Sequence, residues 1–129
     1  MSRRRSTTPT EGELEILSVL WEHGPTTVRE IYNRLKGKRG TGYSTTLRMV
    51  QIMTEKGLIL KDDAVRPQLY TAAAPQEQTQ LQLVDHLIQS GFGGSAMSLV
   101  LRAAAARRIT GEDLAEIKRM VEKAKGGRK

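Results

Sequence analysis

The chain has 129 residues, 38% hydrophobic and 4% aromatic, which suffices for one modest core of Leu, Ile, Val and Met plus an appendage. Its net charge of +7 is spread along the chain, 12 basic and 8 acidic side chains in residues 1–74 against 9 and 6 in residues 75–129, and a basic field of this kind favours polyanions such as nucleic acid. The absence of cysteine excludes disulfides, thiolate metal sites and Cys nucleophiles, and no apolar run approaches the roughly 20 residues of a membrane span.

Residues 1–9 are polar and basic and read as a flexible arm. The cluster Arg3-Arg4-Arg5 has no apolar run behind it and is not a signal peptide, so a cytoplasmic protein without membrane insertion is expected. Thr10 and Glu13 have capping-box spacing, and Leu14, Ile16, Leu17, Val19, Leu20 and Trp21 then recur as in a buried helix that Gly24-Pro25 stops. Thr27 and Glu30 repeat the capping signature ahead of Val28, Ile31, Tyr32 and Leu35, and the Gly37–Gly42 stretch is expected to end that second helix. Ser44 or Thr45 is the candidate cap of a third helix. Leu47, Val50 and Met53 share one face of it, flanked by Met49 and Ile52, until Gly57.

Leu58-Ile59-Leu60 reads as a short strand, Asp62-Asp63 with Pro67 as a turn, and Gln68–Ala73 as the returning strand. Three helices and a hairpin follow one another as in a winged helix-turn-helix, and residues 10–74 are expected to form such a DNA-binding domain. Pro75 closes it. Beyond, the pattern is helical: Leu81, Val84, Leu87 and Ile88 form one apolar stripe, broken at Gly91-Phe92-Gly93-Gly94. Ser95 opens a helix through Met97, Leu99, Val100, Leu101 and the alanines at 103–106, and Thr110 with Asp113 caps a last one bearing Leu114, Ile117, Met120 and Val121. Three short amphipathic helices without a sheet lack a partner for their apolar faces within so short a chain. Residues 75–129 therefore read as a homodimerisation domain, with Leu81, Val84, Leu87, Ile88, Phe92, Leu99, Val100, Leu114, Ile117 and Val121 as its contact residues. The fold class is mainly α with a small β-hairpin wing.

The most informative stretch runs from Ile31 to Thr54, where no carboxylate occurs. It carries Arg34, Lys36, Lys38, Arg39 and Arg48 over the end of helix two, the connecting loop and helix three, the parts that a helix-turn-helix lays against the backbone and major groove of double-stranded DNA. The face of helix three opposite the apolar one carries Ser44, Thr45, Arg48, Gln51 and Glu55. Arg48 suits guanine and Gln51 suits adenine through paired hydrogen bonds, while Ser44 and Thr45 suit phosphate or a base edge. Tyr43 is a candidate for the sugar-phosphate backbone, Arg66 in the wing for the adjacent backbone, and Arg3–Arg5 for a minor groove. An ordinary solvated face is the competing reading of Gln51, and packing beside helix three that of Tyr43. His23 and His86 stand on separate helices without a nucleophile, and no glycine stretch ends in the Lys-Ser/Thr of a phosphate loop, so neither enzyme activity, metal nor cofactor is expected.

Thr10–Glu13 leading into Ile16-Leu17 and Leu20-Trp21, the run Tyr43-Ser44-Thr45-Thr46-Leu47-Arg48-Met49 with Glu55-Lys56-Gly57-Leu58-Ile59, Tyr70 before Pro75, and Phe92-Gly93-Gly94-Ser95 with Leu99-Val100 resemble, in this order, the penicillinase-repressor (BlaI/MecI) family. The resemblance covers about residues 8–125. It implies a winged-helix homodimer that represses transcription from a palindromic operator, relieved by cleavage between dimerisation helices under the control of a membrane metalloprotease sensor. Members of one branch are cut at an Asn-Phe pair; the corresponding position here is Arg102-Ala103. A copper-responsive branch carries a C-terminal cysteine cluster that this chain lacks. Two other readings stand beside repression: a winged-helix interaction or architectural module that binds nucleic acid without sequence preference, and a repressor whose helical half senses a small molecule.

Overall fold

A computed structural model describes residues 8–127, at Arg39 in its backbone only. The order of elements is α1 (Glu11–His23), α2 (Val28–Arg39), α3 (Tyr43–Lys56), β1 (Ile59–Asp62), β2 (Leu69–Ala72), α4 (Gln76–Gly91), α5 (Ala96–Ala105) and α6 (Gly111–Gly127). This is a winged helix followed by further helices. Contacts divide the chain into two compact units within α4, one through Val84 and one from Asp85.

In the first unit α1, α2 and α3 close over the hairpin. Ile16, Leu17 and Leu20 of α1, Ile31 and Leu35 of α2, Val50 and Met53 of α3, Ile59 of β1 and Tyr70 of β2 form one buried cluster, with Ile31, Val50 and Met53 wholly inaccessible. Burying side chains of this size is worth about 1.5–3 kcal/mol each, and these are the residues that hold α3 in place. The antiparallel hairpin pairs Ile59 with Ala72 and Asp62 with Leu69. Thr26, in the loop after α1, adds a bridge to it by exchanging backbone hydrogen bonds with Tyr70 at 3.1 and 2.9 Å. Trp21 Nε1 donates to Ala74 O at 3.0 Å, tying α1 to the chain leaving the wing.

The Thr10–Glu13 capping box forms in both directions, Glu13 N donating to Thr10 Oγ1 and Thr10 N to Glu13 Oε1. Glu13 is buried, and its second oxygen receives Lys56 Nζ from the last turn of α3 at 2.7 Å. Burial pushes its pKa up, but the Lys56 hydrogen bond, the Thr10 amide and the Lys56 charge together hold it below 4.5. The second signature forms by half. Thr27 Oγ1 accepts from Glu30 N, while the Glu30 carboxylate turns instead to Arg34.

Helix α2 runs through Gly37 and ends, inside the expected Gly37–Gly42 stretch, at Gly40, whose left-handed backbone (φ 69°) closes it on Lys36 O. An interior glycine costs about 1 kcal/mol, and burial of Ile31 and Leu35 offsets that. The cap of α3 is Gly42, not Ser44 or Thr45, which occupy its first turn. Thr46, rather than Leu47, takes the innermost first-turn position with Val50 and Met53; its hydroxyl bonds back to Gly42 O, and Leu47 is half-buried.

In the second unit, α4 ends at the Gly91–Gly94 turn, where Gly94 N donates to Ile88 O at 2.9 Å. Ser95 caps α5 by accepting from Ser98 N, and Thr110 and Asp113 cap α6 reciprocally. Helix α5 closes with Arg107 in a left-handed conformation, φ 61°. No described side chain from Asp85 onward is buried.

Candidate nucleic-acid interface

Helix α3 shows one face to solvent. Ser44, Thr45, Arg48, Gln51 and Glu55 are exposed, opposite the buried Thr46, Val50 and Met53. Intrahelical bonding begins with Thr46 N donating to Gly42 O, so the amides of Tyr43, Ser44 and Thr45 precede it. No side chain caps them among the described residues, and the first turn holds no acid. The positive end of the helix dipole, free amides, two hydroxyls and Arg48 thus come together at one end of the exposed face. At the other end Gln51 and Glu55 line a cleft with Thr54, Lys61 and Tyr70, where α3 meets the wing. The Glu55 carboxylate makes that end unfavourable to phosphate.

The cations sort by what they touch. Arg34 pairs with Glu30 at 2.9 Å, and with Lys38 it lines a groove shared with Glu15, Glu22 and His23 of α1. These two residues, read as phosphate contacts, therefore stand among carboxylates. Arg66 folds onto the wing tip, its Nη1 donating to Asp63 O at 2.8 Å and Val65 O at 3.2 Å, and Lys61 lies 3.8 Å from Asp63. The wing tip is thus internally compensated. Among the described residues no carboxylate pairs with Arg29, Lys36, Lys38 or Arg48. The Arg39 side chain and Arg3–Arg5 lie outside the described residues.

Arg29 escaped the sequence reading. Its guanidinium carbon sits 4.1 Å from the centre of the Tyr43 ring and 5.7 Å from that of Tyr32. Tyr32 and Tyr43 meet edge to face at 5.8 Å, and Lys36 Nζ lies 5.7 Å from the Tyr32 ring. Arg29, Tyr32 and Lys36 recur along one side of α2, at intervals of three and four residues, and that spacing was the available signal.

The second unit presents apolar side chains beside its charged ones. Leu81 and Val84 at its border, then Leu87, Val100, Leu114, Ile117 and Val121, are exposed, while Ile88, Phe92 and Leu99 are half-buried. Met97, Leu101 and Met120 extend the same stripes. Arg102 is exposed and Ala103 half-buried, both within α5. Among the described residues no helix is long and apolar enough to cross a membrane, and no group of three or more His, Cys, Asp or Glu could hold a metal ion.

The sequence model of the family described as Penicillinase repressor matches residues 9–123, most of the chain. Among curated proteins no sequence matches significantly.

Proposed function

The chain belongs to the penicillinase repressor family of DNA-binding transcriptional repressors, and from that premise we propose that it acts as a cytoplasmic homodimer on a palindromic operator, with α3 in the major groove. The observation that carries this reading is the exposed, acid-free face from Ser44 to Gln51, on which Arg48 has no carboxylate partner among the described residues. A guanidinium there meets guanine O6 and N7, Gln51 takes an adenine edge, and Ser44 and Thr45 with the free amides take phosphate. Two copies of α3 then read two half-sites, which is why dimerisation and operator affinity are coupled.

Footprinting on the DNA upstream of the protein's own gene tests sequence-specific binding. Arg48→Ala is expected to weaken operator binding by about 1–3 kcal/mol and random DNA much less. Equal losses on both would assign Arg48 to the backbone and favour the architectural reading. Relief of repression by cleavage at Arg102–Ala103, triggered by a membrane metalloprotease sensor, is the induction route proposed. That bond lies inside α5, so cutting needs the helix to open locally. Recovery of only full-length chain from derepressed cells would exclude it.

A further inference from the structure

Arg29 leaves α2 next to Glu30 in sequence, yet that carboxylate is held by Arg34 at 2.9 Å. Among the described residues neither an acid nor any other oxygen engages the Arg29 guanidinium; it lies against two tyrosine rings, closest to Tyr43 at 4.1 Å. A ring face binds a cation through its π electrons and uses none of the N–H donors. The guanidinium is therefore held in place with its five donors unspent, in the planar fork that suits phosphate oxygens. Arg34 and Arg66 make the contrast, since their donors already go to Glu30 and to the carbonyls of Asp63 and Val65.

The Tyr43 ring is itself fixed. It belongs to the first residue of α3, is half-buried against the core cluster, and makes a T-shaped contact with Tyr32 at 5.8 Å. Arg29 consequently stands beside the N-terminal end of the exposed α3 face rather than sweeping through solvent. An arginine ordered before binding loses less rotamer freedom when it meets its ligand.

We propose that Arg29 is a DNA phosphate contact and that Tyr43 is a positioning residue acting through it, the ring holding the guanidinium ready beside α3. This rests on the DNA-binding reading. It also changes the role of Tyr43, whose ring serves chiefly to order Arg29 and whose hydroxyl is dispensable.

Binding of the full-length chain to a short mixed-sequence duplex, titrated at several salt concentrations, tests the proposal, with circular dichroism and thermal melting confirming that each variant is folded. Arg29→Ala is expected to lower the slope of log K against log salt by about 0.9, one phosphate's worth. Tyr43→Leu should weaken binding about two- to fivefold, and Tyr43→Phe should bind as the parent does, because the ring is retained. In an Arg29→Ala background Tyr43→Leu should add nothing. An unchanged salt slope in Arg29→Ala overturns the phosphate contact, and additive losses in the double variant overturn the positioning role. If the unaltered chain binds no duplex at all, the DNA reading falls first and takes this inference with it.

Discussion

Helices α1 and α6 carry similar apolar spacing and meet opposite fates. In the first unit Ile16, Leu17 and Leu20 are 1–3% exposed, enclosed by α2, α3 and the hairpin. In the second, Leu114, Ile117, Met120 and Val121 remain 40–65% exposed. The difference lies in what surrounds the stripe. A hairpin clamped to Thr26, with helices packed over it, closes a core, whereas the second unit has no strand among its described residues for its helices to pack on and leaves most of their apolar surface facing water. Helical periodicity therefore names the face that must be covered without naming what covers it.

The largest effect expected from this contrast is at Ile117. If its face meets a second copy, Ile117→Asp places two carboxylates in one symmetric interface and raises the dimer dissociation constant about a thousandfold, on the order of 4 kcal/mol. Sedimentation equilibrium should show monomers whose first unit retains its structure. Ile31→Ala should do the converse, costing about 2–5 kcal/mol of unfolding free energy by leaving a cavity in the first unit. Its effect should persist when protein concentration is changed. A dimer unaffected by Ile117→Asp would mean that this stripe is not the dimer contact.

The same contrast explains how much was legible in the sequence. The ends of α1 and α6 were, because Thr10 with Glu13 and Thr110 with Asp113 act over three residues and need nothing from the fold. The wing and the exposed face of α3 were legible too, since turn residues and helical spacing are local. Partners set by tertiary rotation were not. Arg29 and Glu30 are neighbours in sequence, but successive helical side chains point about 100° apart, so one reaches Tyr43 and the other Arg34. An acid-free window opening at Ile31 leaves Arg29 outside and admits Arg34, which the fold pairs with an acid. The Gly37–Gly42 stretch marked the end of α2 without naming the glycine that stops it; Leu35 is buried on the same helix and the chain turns at Gly40.

A smaller effect belongs to the first unit alone. Glu13, buried and joined to Lys56 and Thr10, has its pKa held below 4.5, so its ionised form stabilises the fold. That contribution is full above the unfolded value and is lost as the pH falls through the lowered folded value. Glu13→Gln keeps an acceptor for the Thr10 amide but gives up the charge. It should cost about 1.5 kcal/mol at neutral pH, with the deficit shrinking toward zero in melts taken below pH 4.5. A deficit constant over this range would show that packing, not the ion pair, is what Glu13 supplies.

The smallest effect tests whether the second unit relies on local backbone terms where the first relies on burial. Helices α2 and α3 both end on glycine in the left-handed region, Gly40 at φ 69° and Gly57 at φ 82°. Helix α5 places Arg107 there at φ 61°, with Arg107 N donating to Ala104 O and Arg108 N to Ala103 O, both at 2.9 Å. A side chain at such φ costs about 1–2 kcal/mol relative to glycine, and few tertiary contacts in this unit offset it. Arg107→Gly should therefore slow hydrogen exchange at the amides of residues 107 and 108, corresponding to a gain of about 1 kcal/mol in the last turn of α5. Arg107→Val, whose branched Cβ fits this conformation worst, should speed exchange at the same amides. If both variants speed it, the arginine side chain holds the turn by contacts that outweigh its backbone strain, and the second unit is more tightly built than its exposed stripes suggest.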